Sequence, residues 1–155
     1  MSASGSPHIK IFSTEDADFP LSQTLDNAHK LGCHHLAISR NGKVLASTGF
    51  GGETKIWVCS AGIWSEQGMI LGLSLYQIRV RLTWNADRYA DGNSTGEVWA
   101  IAMSEDGSYL ASTTINGCVN VWKTFDGREK IRKFETKGNF GTSIDLVSHC
   151  QSAKK

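Results

Sequence analysis

The densest group of chemically capable side chains is His29, Cys33, His34 and His35. Imidazole and thiolate groups hold a zinc ion or support nucleophilic chemistry when they converge on one point. The run around them reads as an extended strand, which turns Cys33 and His35 to one side and His34 to the other. That division argues against a shared ion, and no metal or other cofactor is expected. Gly49-Phe50-Gly51-Gly52 has the glycine content of a phosphate cradle. No Gly-Lys-Ser/Thr follows it and strand-like runs flank it, so it reads as a hairpin turn. Glu15, Asp16 and Asp18 lie in a polar loop and read as solvated. Ser39 and Ser104 lack the His/Asp partners that a serine nucleophile needs. No catalytic constellation survives, and the chain is not expected to be an enzyme.

The elements that carry these residues follow from composition and pattern. The chain has 155 residues, with 16 Lys+Arg against 15 Asp+Glu and a net charge of +1. This balance argues against nucleic-acid binding through the charge of a whole domain. The stretch Arg128 to Lys133 is basic, but its alternation ahead of Phe134 suits an outer strand with exposed charges. Direct nucleic-acid contact is therefore not expected. The longest apolar runs, around Met69 to Leu75, fall far short of the ~18 residues that cross a bilayer. Residues 1–7 are small and polar, with no secretory layout, and read as a flexible N-terminus. Cys33, Cys59, Cys118 and Cys150 are scattered without a C-x-x-C pair, the usage of reduced cysteines.

Proline is nearly absent, and 16 glycines separate short β-branched and aromatic runs. Runs such as Lys43 to Thr48 and Cys118 to Trp122, bounded by Asn-Gly and Asp-Gly, read as strands joined by tight turns. The expected class is all-β. Cys33–Trp57 aligns without a gap on Val98–Trp122, 65 positions further on. Leu45-Ala46-Ser47-Thr48 falls on Leu110-Ala111-Ser112-Thr113, Gly52 on Gly117, and Trp57 on Trp122. His8 to Phe12 matches the closing strand of a unit, and Phe140 to Ser148 matches an opening strand. These two spacings lie near the ~40–45 residues of a propeller blade, whereas 65 is too long. The surplus is placed at about 66–92, within which Leu73 to Thr83 alternates like a strand. Either a propeller insertion or translated non-coding sequence within Gly68 to Ala86 accounts for it.

The repeat resembles the WD40 family of β-propellers, through its LAST strand, turn glycine and closing Trp. The expected architecture is a partial propeller over 8–148, about two blades plus flanking single strands and not a closed ring. A polar tail follows at 149–155. By this resemblance, His29, Gly52, Trp57, Gly117 and Trp122 are structural repeat residues. His29 occupies the family's Gly-His position, while Ser94 stands there in the second unit. Phe50 and Ile115 replace the turn Asp, and Val58 and Lys123 replace the final Asp. The resemblance therefore implies that the family's Ser–His–Asp–Trp network stays incomplete and that the blades rely on packing. Inner-strand entrances fall at Gly32 and His34, at Glu97 and Trp99, and at Gly141 and Ser143. Gly49 and Thr114 precede the turn position. The partner-binding candidates are His34, Glu97, Trp99 and Thr114, with Trp99 foremost because a rim aromatic can anchor a partner.

Four runs, AHKLGCHH, GFGGETKIW, GEVWAIAMSEDG and REKIRKFETKGNFG, are similar to fungal WD-repeat proteins of the superkiller complex, a group that includes a meiotic recombination protein. The resemblance implies a non-catalytic scaffold with protein partners. These would be the helicase and tetratricopeptide subunits of that complex, in support of exosome-mediated mRNA decay. The meiotic break machinery would be a further partner. Cytoplasmic and nuclear locations follow from those roles. A generic WD-repeat adaptor in another complex and a truncated, non-functional product are the alternatives. Blades are normally covered on both faces, so an isolated partial ring is expected to be marginal or oligomeric.

Overall fold

A computed structural model describes Met1 and residues 5–71, 98–115, 117–137, 139 and 141–147. Ten strands form three antiparallel sheets among these residues, and none closes into a barrel. Strand β1 (Ile9–Phe12) pairs with β2 (Leu21–Leu25). One four-stranded sheet runs in the order β3 (Cys33–Ile38), β4 (Val44–Gly49), β5 (Glu53–Ser60) and β6 (Ile63–Leu71). The other runs β7 (Val98–Met103), β8 (Tyr109–Thr114), β9 (Cys118–Lys123) and β10 (Lys130–Glu135). A short 3-10 turn at Asp126–Arg128 joins the last two strands. The all-β, partial-propeller expectation holds.

Each four-stranded sheet opens with the same turn chemistry. Ser39 Oγ donates to Asn41 Oδ1 at 2.7 Å and accepts the Val44 N–H at 2.9 Å. Ser104 Oγ donates to Asp106 Oδ1 at 2.7 Å and accepts the Tyr109 N–H at 2.9 Å. Such side-chain-to-backbone bonds substitute for ladder bonds at a turn. Each turn ends on a glycine with positive φ, 69° at Gly42 and 78° at Gly107. The two turns touch. Arg40 N–H donates to Glu105 O at 3.0 Å, and the Arg40 guanidinium pairs with the Glu105 carboxylate at 2.5 Å. A Cβ on Gly107 would lie 2.8 Å from Val44 Cγ2, so only glycine allows this approach.

Two apolar cores cover the two faces of the first blade. Leu45, Trp57, Trp64 and Cys33 pack with Ile9, Ile11 and Leu25 of the two-stranded sheet. Val44, Ala46, Ile56 and Ile70 on the opposite face pack with Val98, Ile101, Met103 and Leu110 of the second blade. The period-two alternation of Val44-Leu45-Ala46 thus splits between two cores. A polar clasp adds to the second interface. Gln67 is an extra residue in β6, because Ile56 pairs with Gly68 and Trp57 with Glu66. Arg128 of the second blade donates to the carbonyl of this bulged residue.

Some expected boundaries take a different form. The ladder of β6 continues to Leu71, inside the stretch assigned as surplus. The alternating run Leu73 to Thr83 lies outside the described residues. Ser6 and Pro7, assigned to a flexible N-terminus, accept the Cys33 and His29 N–H groups at 3.3 and 3.1 Å. Strand β2 was not foreseen. Gly141–Val147 matches an opening strand in sequence but forms no ladder here. Its Gly141 carbonyl instead accepts the Thr113 hydroxyl at 2.9 Å.

Ile56 is fully buried between the blades. Ile56→Ala is expected to destabilise the fold by about 2–5 kcal/mol. Denaturant titration measures this, and a loss within experimental scatter would contradict the two-blade core.

Candidate functional site

The two inner strands share a defect. In β3, Cys33 pairs with Gly49 and His35 with Thr48, which leaves His34 as an extra residue. In β7, Val98 pairs with Thr114 and Ala100 with Thr113, which leaves Trp99 extra in the same way. A β-bulge bends the strand and re-aims the side chain it carries. Here both bulged side chains reach one place. The Trp99 ring meets the His34 ring edge-on, with centroids 4.7 Å apart. The Phe50 ring tilts against His34 at 5.0 Å. Phe50 and Ile115, the residues standing at the turn-Asp position, are 48% and 50% exposed. Burial, followed by the charge of His35, holds His34 below its usual pKa of 6.5, so it is neutral at pH 7. The result is a largely aromatic patch at the blade entrances.

The proposed contact residues fare differently. His34 and Trp99 come together, both half-buried. Glu97 lies outside the described residues. Thr114 is fully buried, and its hydroxyl accepts the Cys118 N–H at 3.1 Å within the turn. It presents no side-chain surface to a partner, because the turn consumes it. Ser143 is exposed on the segment that forms no strand. Gly32 is buried with φ 97°, and a Cβ there would lie 2.6 Å from the Gly5 carbonyl oxygen. Its role is backbone approach. Gly52 and Gly117 have φ of 80° and 78°, as turn glycines must.

Beneath the patch lies a polar network that the sequence comparison led us not to expect in full. His29 is buried, with Nε2 2.8 Å from Ser47 Oγ. The Trp57 indole N–H donates to the same Ser47 oxygen at 2.8 Å. His29 Nδ1 lies 3.0 Å from Glu53 Oε1. A carboxylate only accepts, so Nδ1 carries the proton in this bond. Glu53, three residues beyond Phe50, thus supplies the acid missing from the turn. Partial burial works to raise the Glu53 carboxyl. The hydrogen bond from His29, a backbone N–H and the charges of His29 and Lys55 outweigh it, and the group titrates below 4.5.

The glycine-rich turn makes this substitution possible. A Cβ on Gly49 would lie 2.6 Å from both Glu53 Oε1 and His29 Nδ1. One on Gly51 would strike Glu53 Oε2. The turn therefore cradles a carboxylate of its own chain. The sequence signal is a glycine-rich turn followed at once by Glu, three residues beyond the family position at Phe50. In the second blade the Trp122 indole donates to Ser112 Oγ at 3.3 Å, and Cys118 stands in place of Glu53. The histidine position there, Ser94, lies outside the described residues.

The His/Cys cluster is also resolved. Cys33 packs in one core with Leu36, whereas Ala37 packs in the other, so His35 shares the face of Ala37. The bulge at His34 overturns the expected pairing of Cys33 with His35 on one face. Burial, against a lowering hydrogen bond to the His35 backbone and with the charge of Glu53, pushes the Cys33 thiol up to about 11. It is a packing thiol. Among the described residues, no group of three His, Cys, Asp or Glu side chains is placed to hold a metal ion.

Comparison with known proteins places these features in context. The WD domain, G-beta repeat family matches residues 20–58 and 88–123. The first match contains His29, Ser47, Glu53 and Trp57. The chain is 32% identical over 144 residues, 93% of its length, to the meiotic recombination protein rec14 of Schizosaccharomyces pombe. It spans 40% of that protein.

Two outcomes test the network. Ser47→Ala leaves the buried imidazole and indole without their shared partner, at about 1–3 kcal/mol for each unpaired group. Ser112→Ala removes one longer bond and is expected to cost about 1 kcal/mol; denaturant titration of both variants compares them. The second outcome concerns pH. A carboxyl lowered on folding adds stability above its unfolded pKa, and this is lost as pH falls through the folded value. Acid unfolding below about pH 4.5 should therefore be shallower in Glu53→Gln than in the native sequence.

Proposed function

The chain carries WD40 repeats, and from that premise we propose that it is a non-catalytic protein-interaction scaffold whose contact surface is the aromatic patch at the blade entrances. WD40 repeats are generally non-catalytic scaffolds, and proteins built from them typically bind protein partners. The observation that carries the reading is the equivalence of the two bulges. Two blades use the same backbone device to bring His34 and Trp99 to one place, beside the exposed Phe50. Structural packing does not require an apolar residue at the exposed turn position. A partially desolvated aromatic cluster is the composition of a binding hot spot.

The partner class follows from two likenesses. The similarity to a meiotic recombination protein supports a partner in the meiotic break machinery, with a nuclear location. The four local runs described above support the helicase and tetratricopeptide subunits of the superkiller complex, in cytoplasmic mRNA decay. In both settings the role is to hold partner segments on the rim without chemistry.

The decisive experiment is affinity purification of the tagged chain from meiotic and vegetative cells, with Trp99→Ala and Phe50→Ala run alongside. Recovery of the meiotic break proteins or the superkiller subunits, weakened about 30-fold or more by Trp99→Ala, is the expected result. Recovery of neither set, or recovery indifferent to both rim variants, would overturn the assignment.

A further inference from the structure

Phe50 is held at the rim by an unusual turn. Three of the four residues Gly49 to Gly52 have no side chain, and glycine gives a chain little conformational preference of its own. Two ties flank Phe50. Its own N–H donates to the Gly32 carbonyl at 3.2 Å. At the far end, Glu53 reaches back beneath Gly49 and Gly51 to His29. His29 is itself fixed, because its N–H donates to Pro7 O and its carbonyl accepts the Gly32 N–H. Within the turn the Gly52 N–H donates to the Gly49 carbonyl at 3.0 Å. Beside the Phe50–His34 ring contact, the Glu53 bond is the one side-chain hydrogen bond on the turn among the described residues, and it is charge-assisted.

We propose that Glu53 is a latch on the rim: its charge holds the glycine turn closed over His29, and this sets Phe50 against His34. Neutralising or displacing the carboxylate releases the turn and removes Phe50 from the patch, while Trp99, held by the second blade, stays. The device regulates the surface assigned under the proposed function and rests on that reading. Its acidic trigger is protonation of Glu53. Among the described residues, the titratable and charged groups facing that carboxylate are His29 from the loop before β3, Cys33 of β3 and Lys55 of β5. His29 and Lys55 favour the charged form, and Lys55 is also engaged with Glu66 at 2.8 Å.

The test is nuclear magnetic resonance of the isotopically labelled full chain without any partner. It follows the Phe50–His34 ring contact, the Trp99–His34 ring contact and the Trp57 indole N–H. In Glu53→Gln the Phe50–His34 contact is expected to disappear and the Trp99–His34 contact to persist. The Trp57 indole N–H is expected to exchange about tenfold faster or more. Gly51→Ala, which keeps the charge but pushes the carboxylate aside, is expected to do the same to Phe50. If Glu53→Gln does not fold, Gly51→Ala and an acid titration of the native chain decide. The Phe50 contact must then be lost in step with the Glu53 carboxyl resonance. A Phe50–His34 contact that survives in the folded variants, or that outlasts protonation of Glu53, would overturn the latch. The readout uses no partner, so a rim that binds nothing leaves this result standing, and a failed latch leaves the purification result standing.

Discussion

A single hydroxyl, that of Ser47, sits between an imidazole and an indole in the interior of the first blade. The indole N–H and both imidazole nitrogens must find partners once water is excluded, and Ser47 serves one nitrogen of each ring. Ser47 lies on β4, Trp57 on β5 and His29 on the loop that leads into β3. Satisfying the two rings therefore fixes three successive pieces of chain relative to each other. The loop brought in by His29 carries Gly32, whose carbonyl holds the Phe50 N–H. The position of the aromatic patch is in this way a consequence of polar satisfaction below it. Apolar packing sets how the sheets stack and seats Ala28 of the entry loop, but it is non-directional and leaves the orientation of the imidazole to its hydrogen bonds.

The two repeats show what is constrained and what is not. The turns at Ser39 and Ser104 use the same hydroxyl-to-backbone bonds, and both inner strands carry a bulge at the same place. Around this shared frame the chemistry differs. His34 corresponds to Trp99, Phe50 to Ile115 and Glu53 to Cys118. The first blade thus has a carboxylate-anchored network, while Trp122 in the second has a longer bond to Ser112. Asn120 in that blade is buried with neither amide atom hydrogen-bonded among the described residues. The second blade depends more on the apolar interface that Val98, Ile101 and Leu110 make with its neighbour.

Much of this frame was legible in the sequence. The ungapped alignment of Cys33–Trp57 on Val98–Trp122 located six of the ten strands, because glycine turns and period-two alternation act locally. The basic run before Phe134 gave β10 by the same alternation. Strand β2 escaped because Leu21-Ser22-Gln23-Thr24-Leu25 has only two apolar residues, and one of them, Leu21, is exposed. The bulges escaped because nothing in Cys33-His34-His35 marks an extra residue, and strict alternation then misplaced His35. The acid was missed for a geometric reason. A glutamate has the reach to act from a neighbouring backbone position, so the carboxylate persists where the aspartate position is lost. Thr114, named as a contact residue, is buried, and its hydroxyl serves the backbone of its own turn.

The bulge at each inner-strand entrance also has an evolutionary consequence. Beyond the extra residue the inside–outside phase of the strand is restored, so the residues that follow keep their places in the two cores. A substitution at the bulged position changes the rim without shifting that phase. Positions 34 and 99 are thus places where the rim side chain can change while the residues after the bulge keep their register. Each blade thus carries its own rim position, set apart from the alternation that fills its two cores.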